Sequence, residues 1–169
     1  MSGEDEVNEV VWQFADRDVT LEEIAAIQQE LGVELPSDYV TCIRKNNGAS
    51  AEPDLFELET GEQKVFGTLL SFDRESEEFV LDVFNDHKAA LPAGAIPIAF
   101  DPAGNLICFD YGGDDANPAV VFWNHENAGD KDILMSELGL TATQADAMVR
   151  KKLTRIASTF TAFVEGLHG

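Results

Sequence analysis

Three histidines, two cysteines and a large excess of carboxylates are the groups in this chain with chemistry to offer. His87, His125 and His168 do not stand four residues from a second ligand type. No His-x-x-x-His, Cys-x-x-Cys or His-Glu-x-x-His pattern occurs, so no zinc site is expected. Asn124-His125-Glu126 offers a base beside a carboxylate, but its place after an apolar run reads as a polar strand end. Asp110, Asp114, Asp115 and Asn117 bring oxygen ligands together without the spacing of a calcium loop. Gly112-Gly113 lacks the Lys-Ser/Thr that follows in a phosphate loop, and its flanking aspartates repel phosphate. No Gly-x-Ser-x-Gly elbow is present. Cys42 and Cys108 both lie in apolar segments, which raise a thiol pKa, so two unreactive free thiols are expected. Phe109, Tyr111, Phe122 and Trp123 read as core rather than as a pocket lining. The expectation is a protein with no catalytic group, no metal and no cofactor.

Charge narrows the partner. Thirty-two acidic side chains face 11 basic ones over 169 residues, a net charge of -21. That field repels phosphate, which argues against nucleic acid and against anionic membrane surfaces, and it steers basic proteins inward. No apolar run reaches the ~18 residues of a membrane span. The acidic start, Met1 to Glu6, has no positive region of a secretory signal, so a cytoplasmic protein is expected. Length implies about one domain, drawn as residues 20–169 preceded by an acidic helical extension, 1–19.

The elements that must position these groups are read from periodicity. Val7, Val10, Val11 and Phe14 predict an N-terminal amphipathic helix. Thr20-Leu21-Glu22-Glu23 is a capping box, Leu21, Ile24, Ile27 and Leu31 recur at helical spacing, and Gly32 stops the helix. A second helix starts at Pro36, buries Tyr39, Val40 and Ile43, and ends at Asn46-Asn47-Gly48. Strands are predicted over 55–58, 64–70, 95–100, 106–111 and 119–124 as one antiparallel sheet, with Ile98, Ile107, Phe109, Val121 and Phe122 in the core. Residues 73–86 predict an acidic surface helix. Thr141 to Gln144 is another capping box, followed by a long helix from Ala145 through Val164. Helices first, a meander in the middle and a helix last is an α+β plan.

Four stretches carry a resemblance. Leu31-Gly32-Val33-Glu34-Leu35-Pro36-Ser37-Asp38-Tyr39 with Asn46-Asn47-Gly48, Ile96 to Ala99 with Gly104 to Tyr111, Pro118 to Glu126, and Ser158 to Val164 together resemble the SMI1/KNR4 family of the SUKH superfamily. They cover about residues 20–165 in the family's order. The resemblance implies an α+β fold without catalytic residues. Bacterial members are commonly immunity proteins that neutralise a cognate toxin, often a nuclease, and fungal relatives are regulatory scaffolds. The chain departs from the family pattern between Glu126 and Arg155. No binding residue carries over from a motif.

The surface is therefore chosen on charge. Asp54, Glu57, Glu59 and Glu62 on the 54–62 hairpin, Asp73, Glu75, Glu77, Glu78 and Asp82 on the 73–82 segment, and Asp114 and Asp115 on a loop are the expected contacts for a basic partner, a cognate toxin domain. A rigid array of carboxylates can fill a nuclease's cationic cleft as a decoy. The alternative class is a regulatory scaffold or small-ligand-binding domain with no toxin partner. The basic cluster Arg150, Lys151, Lys152 and Arg155 is expected to neutralise carboxylates of its own fold or of a second copy.

Overall fold

The computed structural model describes residues 9–112, 117–127 and 129–169. In chain order its elements are β1 (Val11–Gln13), α1 (Leu21–Leu31), α2 (Ser37–Asn46), β2 (Ser50–Glu52), β3 (Leu55–Glu57), β4 (Gln63–Val65), β5 (Thr68–Leu69) and α3 (Val80–His87). Then follow β6 (Ala95–Phe100), β7 (Leu106–Asp110), β8 (Ala119–Trp123), α4 (Lys131–Leu138), α5 (Ala142–Arg150), β9 (Thr154–Ala157) and α6 (Phe160–Glu165). One antiparallel seven-stranded sheet runs in the order β1-β2-β5-β6-β7-β8-β9, and β3 with β4 forms a separate hairpin. The α+β architecture expected from the sequence is the observed one.

β6, β7 and β8 form the centre because both their faces are covered, and nearly every side chain in them is buried. Ile98, Ile107, Phe109, Val121 and Phe122 are all in the core. Pro97 has no N–H to give the ladder, and the register slips between Pro97 and Ala99. Ile98, inside that irregularity, turns its carbonyl to the Leu70 N–H (2.9 Å). Tyr39 joins the layers, meeting Phe72, Phe109 and Phe160 edge-on at 5.1–6.2 Å between centroids. Phe163 of α6 meets Phe56 and Phe66, which seats the small hairpin. The capping boxes at Thr20/Glu23 and Thr141/Gln144 both form, and α1 ends on left-handed Gly32. Among the described residues no helix is long and apolar enough to cross a membrane.

Four expectations about elements are corrected. The described part of the N-terminal segment is a strand, not a helix. Val10 and Trp12 turn toward the core while Val11 and Phe14 are exposed. Trp12 meets Phe66 at 6.0 Å, and β2, which the sequence reading missed, offers a pairing partner. Valines at this spacing serve either period, and the free edge of β2 decides it. The predicted strand 64–70 divides into β4 and β5 at Gly67, so the 55–58 strand, expected in the one sheet, pairs with β4 outside it. The Gly67 N–H meets the Phe100 carbonyl (2.9 Å). A Cβ there would stand 2.6 Å from that same oxygen, so only glycine lets the chain cross from the hairpin to the main sheet here.

The predicted helix over 73–86 begins only at Val80. Before it, side chains take the backbone donors a helix would need: Asp73 N–H donates to Ser71 Oγ, Glu75 N–H to Asp73 Oδ1 and Glu78 N–H to Ser76 Oγ (3.0–3.1 Å). The long C-terminal helix is instead α5, β9 and α6. β-branched Thr154 and Ile156 flank Arg155 where β8 has an open side, and Thr159 caps a new helix by accepting the Ala162 N–H. α4, not foreseen either, packs on α5.

Phe109 is fully buried, whereas Phe14 is 86% exposed. Truncating Phe109 to Ala should cost about 3–5 kcal/mol in urea denaturation, while Phe14→Ala should stay within about 0.5 kcal/mol. Equal effects would place the core wrongly.

Candidate binding surface

The acidic candidates separate once their neighbours are known. On the hairpin three of the four candidate carboxylates, Glu57, Glu59 and Glu62, are tied to their own fold. Glu57 accepts from Gln63 Nε2 (3.2 Å) and lies 2.8 Å from His168 Nε2, and in that order these two hold its pKa below the usual carboxylate value. Glu59 pairs with the Arg155 guanidinium (3.2 Å) and gives its N–H to the Arg155 carbonyl (2.9 Å). Glu62 pairs with Lys64 (2.9 Å), whose ammonium also lies over the Phe122 ring. Asp54 is half-buried, and its backbone carbonyl accepts the Phe66 N–H.

The 73–82 segment differs. Asp73 is half-buried and 3.5 Å from Arg17 Nε. Glu78 accepts from the Thr68 hydroxyl (3.2 Å). Glu75 and Glu77, on the turns, and Asp82, in the first turn of α3, are exposed, and among the described residues no ion pair engages them. Asp114 and Asp115 lie outside the described residues.

The fold adds groups that sequence reasoning missed. Glu22 and Glu23 from the first turn of α1, with Asp73 and Glu75, line a cleft of about 530 Å³ that Arg17 and Arg74 also border. Arg17 bridges Glu23 (2.9 Å) and Asp73, and Arg74 bridges Glu30 (2.7 Å) while stacking on Phe79. The capping box marked Glu22 and Glu23 as first-turn residues. Their approach to the 73–75 turn is a tertiary contact that local periodicity does not encode.

The other chemical candidates are absorbed by structure. Asp101 and Asn105 are buried at the β6–β7 turn, where Asp101 accepts the Asn105 side-chain amide and the N–H groups of Ala103 and Asn105 (2.8–2.9 Å). With that amide committed, Asn105 Oδ1 accepts both the backbone and the Nδ1–H of His125 (2.9 and 2.7 Å). The trio braces a turn, and among the described residues no hydroxyl or thiol is hydrogen-bonded to the imidazole. Burial pushes the Cys42 thiol up to about 11 and Cys108 higher still, and both are free. Among the described residues no group of three His, Cys, Asp or Glu side chains is placed to hold a metal ion.

Half of the basic cluster neutralises its own fold. Arg150 Nη1 reaches both Asp110 oxygens (2.8 and 2.9 Å), its Nη2 meets the Ala93 carbonyl, and Arg155 pairs with Glu59. Lys151 and Lys152 sit exposed in the turn after α5, and among the described residues no ion pair engages them.

The model of the SMI1 / KNR4 family (SUKH-1) matches residues 18–166 of the chain. The chain belongs to that family. It is also similar to the SPbeta prophage-derived uncharacterized protein YokK of Bacillus subtilis (strain 168), with 26% identity over 137 residues, 69% of this chain and 68% of that protein.

Glu23 offers a direct check on the cleft. The Arg17 guanidinium first, then the Thr20 N–H, pull its carboxyl from the usual 4.5 to about 2. A folded value below the unfolded one means this contribution is present above pH 4.5 and is lost as pH falls toward 2. Carbon-detected titration should find the Glu23 midpoint near 2, and Arg17→Ala should raise it and make acid unfolding begin at higher pH. A midpoint unmoved by Arg17→Ala would contradict the bridge.

Proposed function

We propose that this SMI1/KNR4 family member is a non-catalytic binding module that engages a basic protein. The reading is of an immunity protein held against a cognate nuclease-type toxin. Family membership supports the class of module, and the charge of -21 supports the chemistry of the partner. The observation that carries the choice of surface is the unequal pairing of the acids. The hairpin carboxylates Glu57, Glu59 and Glu62 are each bonded to a basic group of the same chain, whereas Glu75, Glu77 and Asp82 are exposed and in no ion pair among the described residues.

A carboxylate already in an ion pair gives a partner less, because its own base must be displaced first. Free carboxylates on a braced loop keep their field and need little ordering on contact. The 73–82 segment, with Glu22 beside it across the cleft, is thus the contact region, and the hairpin is an internal brace.

Binding to the toxin domain encoded beside the gene tests this. Association should slow steeply as ionic strength rises, while dissociation changes less. Reversing Glu75, Glu77 and Asp82 to Lys together should weaken binding by more than about tenfold, equivalent to ~1.4 kcal/mol. Reversing Glu57, Glu59 and Glu62 should weaken it less. Affinity unchanged by the loop reversal would rule out this surface.

A further inference from the structure

The seven-stranded sheet ends differently at its two edges. β9 is covered on its outer side by the small hairpin, through the Glu59 N–H on the Arg155 carbonyl and the ion pair between the same residues. β1 is bonded to β2 on one side, and among the described residues no strand lies on the other. Natural sheets blunt such an edge with a very short strand, lysine, proline, a bulge or an inward charge. β1 is short, at three residues, but Val11-Trp12-Gln13 carries no lysine, proline or other charge.

The edge is also apolar where it should be wet. Val11 is 56% exposed, and Phe14, directly after the strand, is 86% exposed. Phe14 has φ 63°, the one described non-glycine residue in the left-handed region. For a bulky side chain that conformation is costly, and such costs concentrate where residues serve binding. An aromatic ring held in solvent beside a strand edge that no described strand covers matches strand addition, in which main-chain bonds give affinity and exposed side chains give anchoring.

Charge selects the occupant. Glu9 precedes the strand, Glu52 stands opposite Val11, Asp16 follows Phe14, and the next residue, Arg17, pairs with Asp73 of the acidic loop. A second copy would bring the same carboxylates and another charge of -21 to this edge. A basic extended segment meets complementary charge on the same path.

We infer that β1 is a docking edge for an extended, Lys/Arg-rich segment of a protein partner, added as a further antiparallel or parallel strand with Val11 and Phe14 as apolar contacts. The inference rests on the proposed reading of a basic partner but assigns it a second surface, distinct from Glu75, Glu77 and Asp82.

The test uses the full chain and two eight-residue peptides of alternating Lys and Val, one with every second backbone nitrogen methylated. Methylation keeps the charge and removes the strand's hydrogen bonds. The unmodified peptide should slow hydrogen exchange of the 10–14 amides by about tenfold or more and bind at least about tenfold more tightly than the methylated one. Phe14→Ala should weaken that binding several-fold while leaving the melting temperature unchanged. Equal binding of the two peptides, or protection confined to 73–82, overturns the docking edge and leaves the acidic-surface reading standing. Absence of binding by either peptide overturns the edge as well. The acidic-surface reading fails separately, if the loop reversal leaves toxin affinity unchanged while the 10–14 amides are still protected by the unmodified peptide.

Discussion

A single buried amide ties the acidic surface to the fold. Asn47 is fully buried at the end of α2. Its Oδ1 accepts the Ser71 hydroxyl (3.1 Å) and the Phe72 N–H (2.9 Å), and its Nδ2 donates to the Arg17 carbonyl (2.9 Å). Its own carbonyl accepts the Asp16 N–H (2.9 Å). Three distant segments therefore converge on one side chain: the stretch after β1, the end of α2 and the entry to the acidic loop. Ser71 Oγ passes the constraint on by accepting the Asp73 N–H, and Asp73 closes the circuit on Arg17. Gly48, next in sequence, has φ +79°, and a Cβ there would stand 2.6 Å from the Asp16 carboxylate. Buried polar groups cost little when satisfied and about 1–3 kcal/mol each when orphaned, so this node locks its three segments together or none of them.

The charge of the chain acquires meaning only against that frame. An acid's usefulness to a partner depends on what already holds it, and the fold spends its few bases unevenly. Arg155, Lys64 and His168 are taken up by the hairpin, Arg17 and Arg74 by the floor of the α1 cleft, and Arg150 by Asp110. The turns from Glu75 to Glu77 and the start of α3 receive none among the described residues. A braced loop with free carboxylates has an outward negative field and little conformational entropy left to lose on contact.

Where local chemistry decides a structure, the sequence was readable. The capping boxes, Gly32 and the doubly covered runs of β6 to β8 are local signals, and each formed as expected. Misreadings fell where an apolar spacing fits two periods and a distant partner chooses between them. Val11 to Gln13 became a strand because β2 was beside it, and Thr154 to Ala157 because β8 had an open side. Residues 73–79 stayed out of a helix because Ser71, Asp73 and Ser76 took its donors. The acidic candidates were visible as a set, but their sorting into paired and free depends on Arg17, Arg155 and His168 arriving from elsewhere in the chain.

Hydrogen exchange of an Asn47→Ala variant tests this dependence most directly. The account predicts that the amides of 71–80 and of 16–19 lose protection together, by about tenfold or more, while those of β6 and β7 keep theirs. Protection retained in the 71–80 loop, or lost only in the last turn of α2, would contradict it.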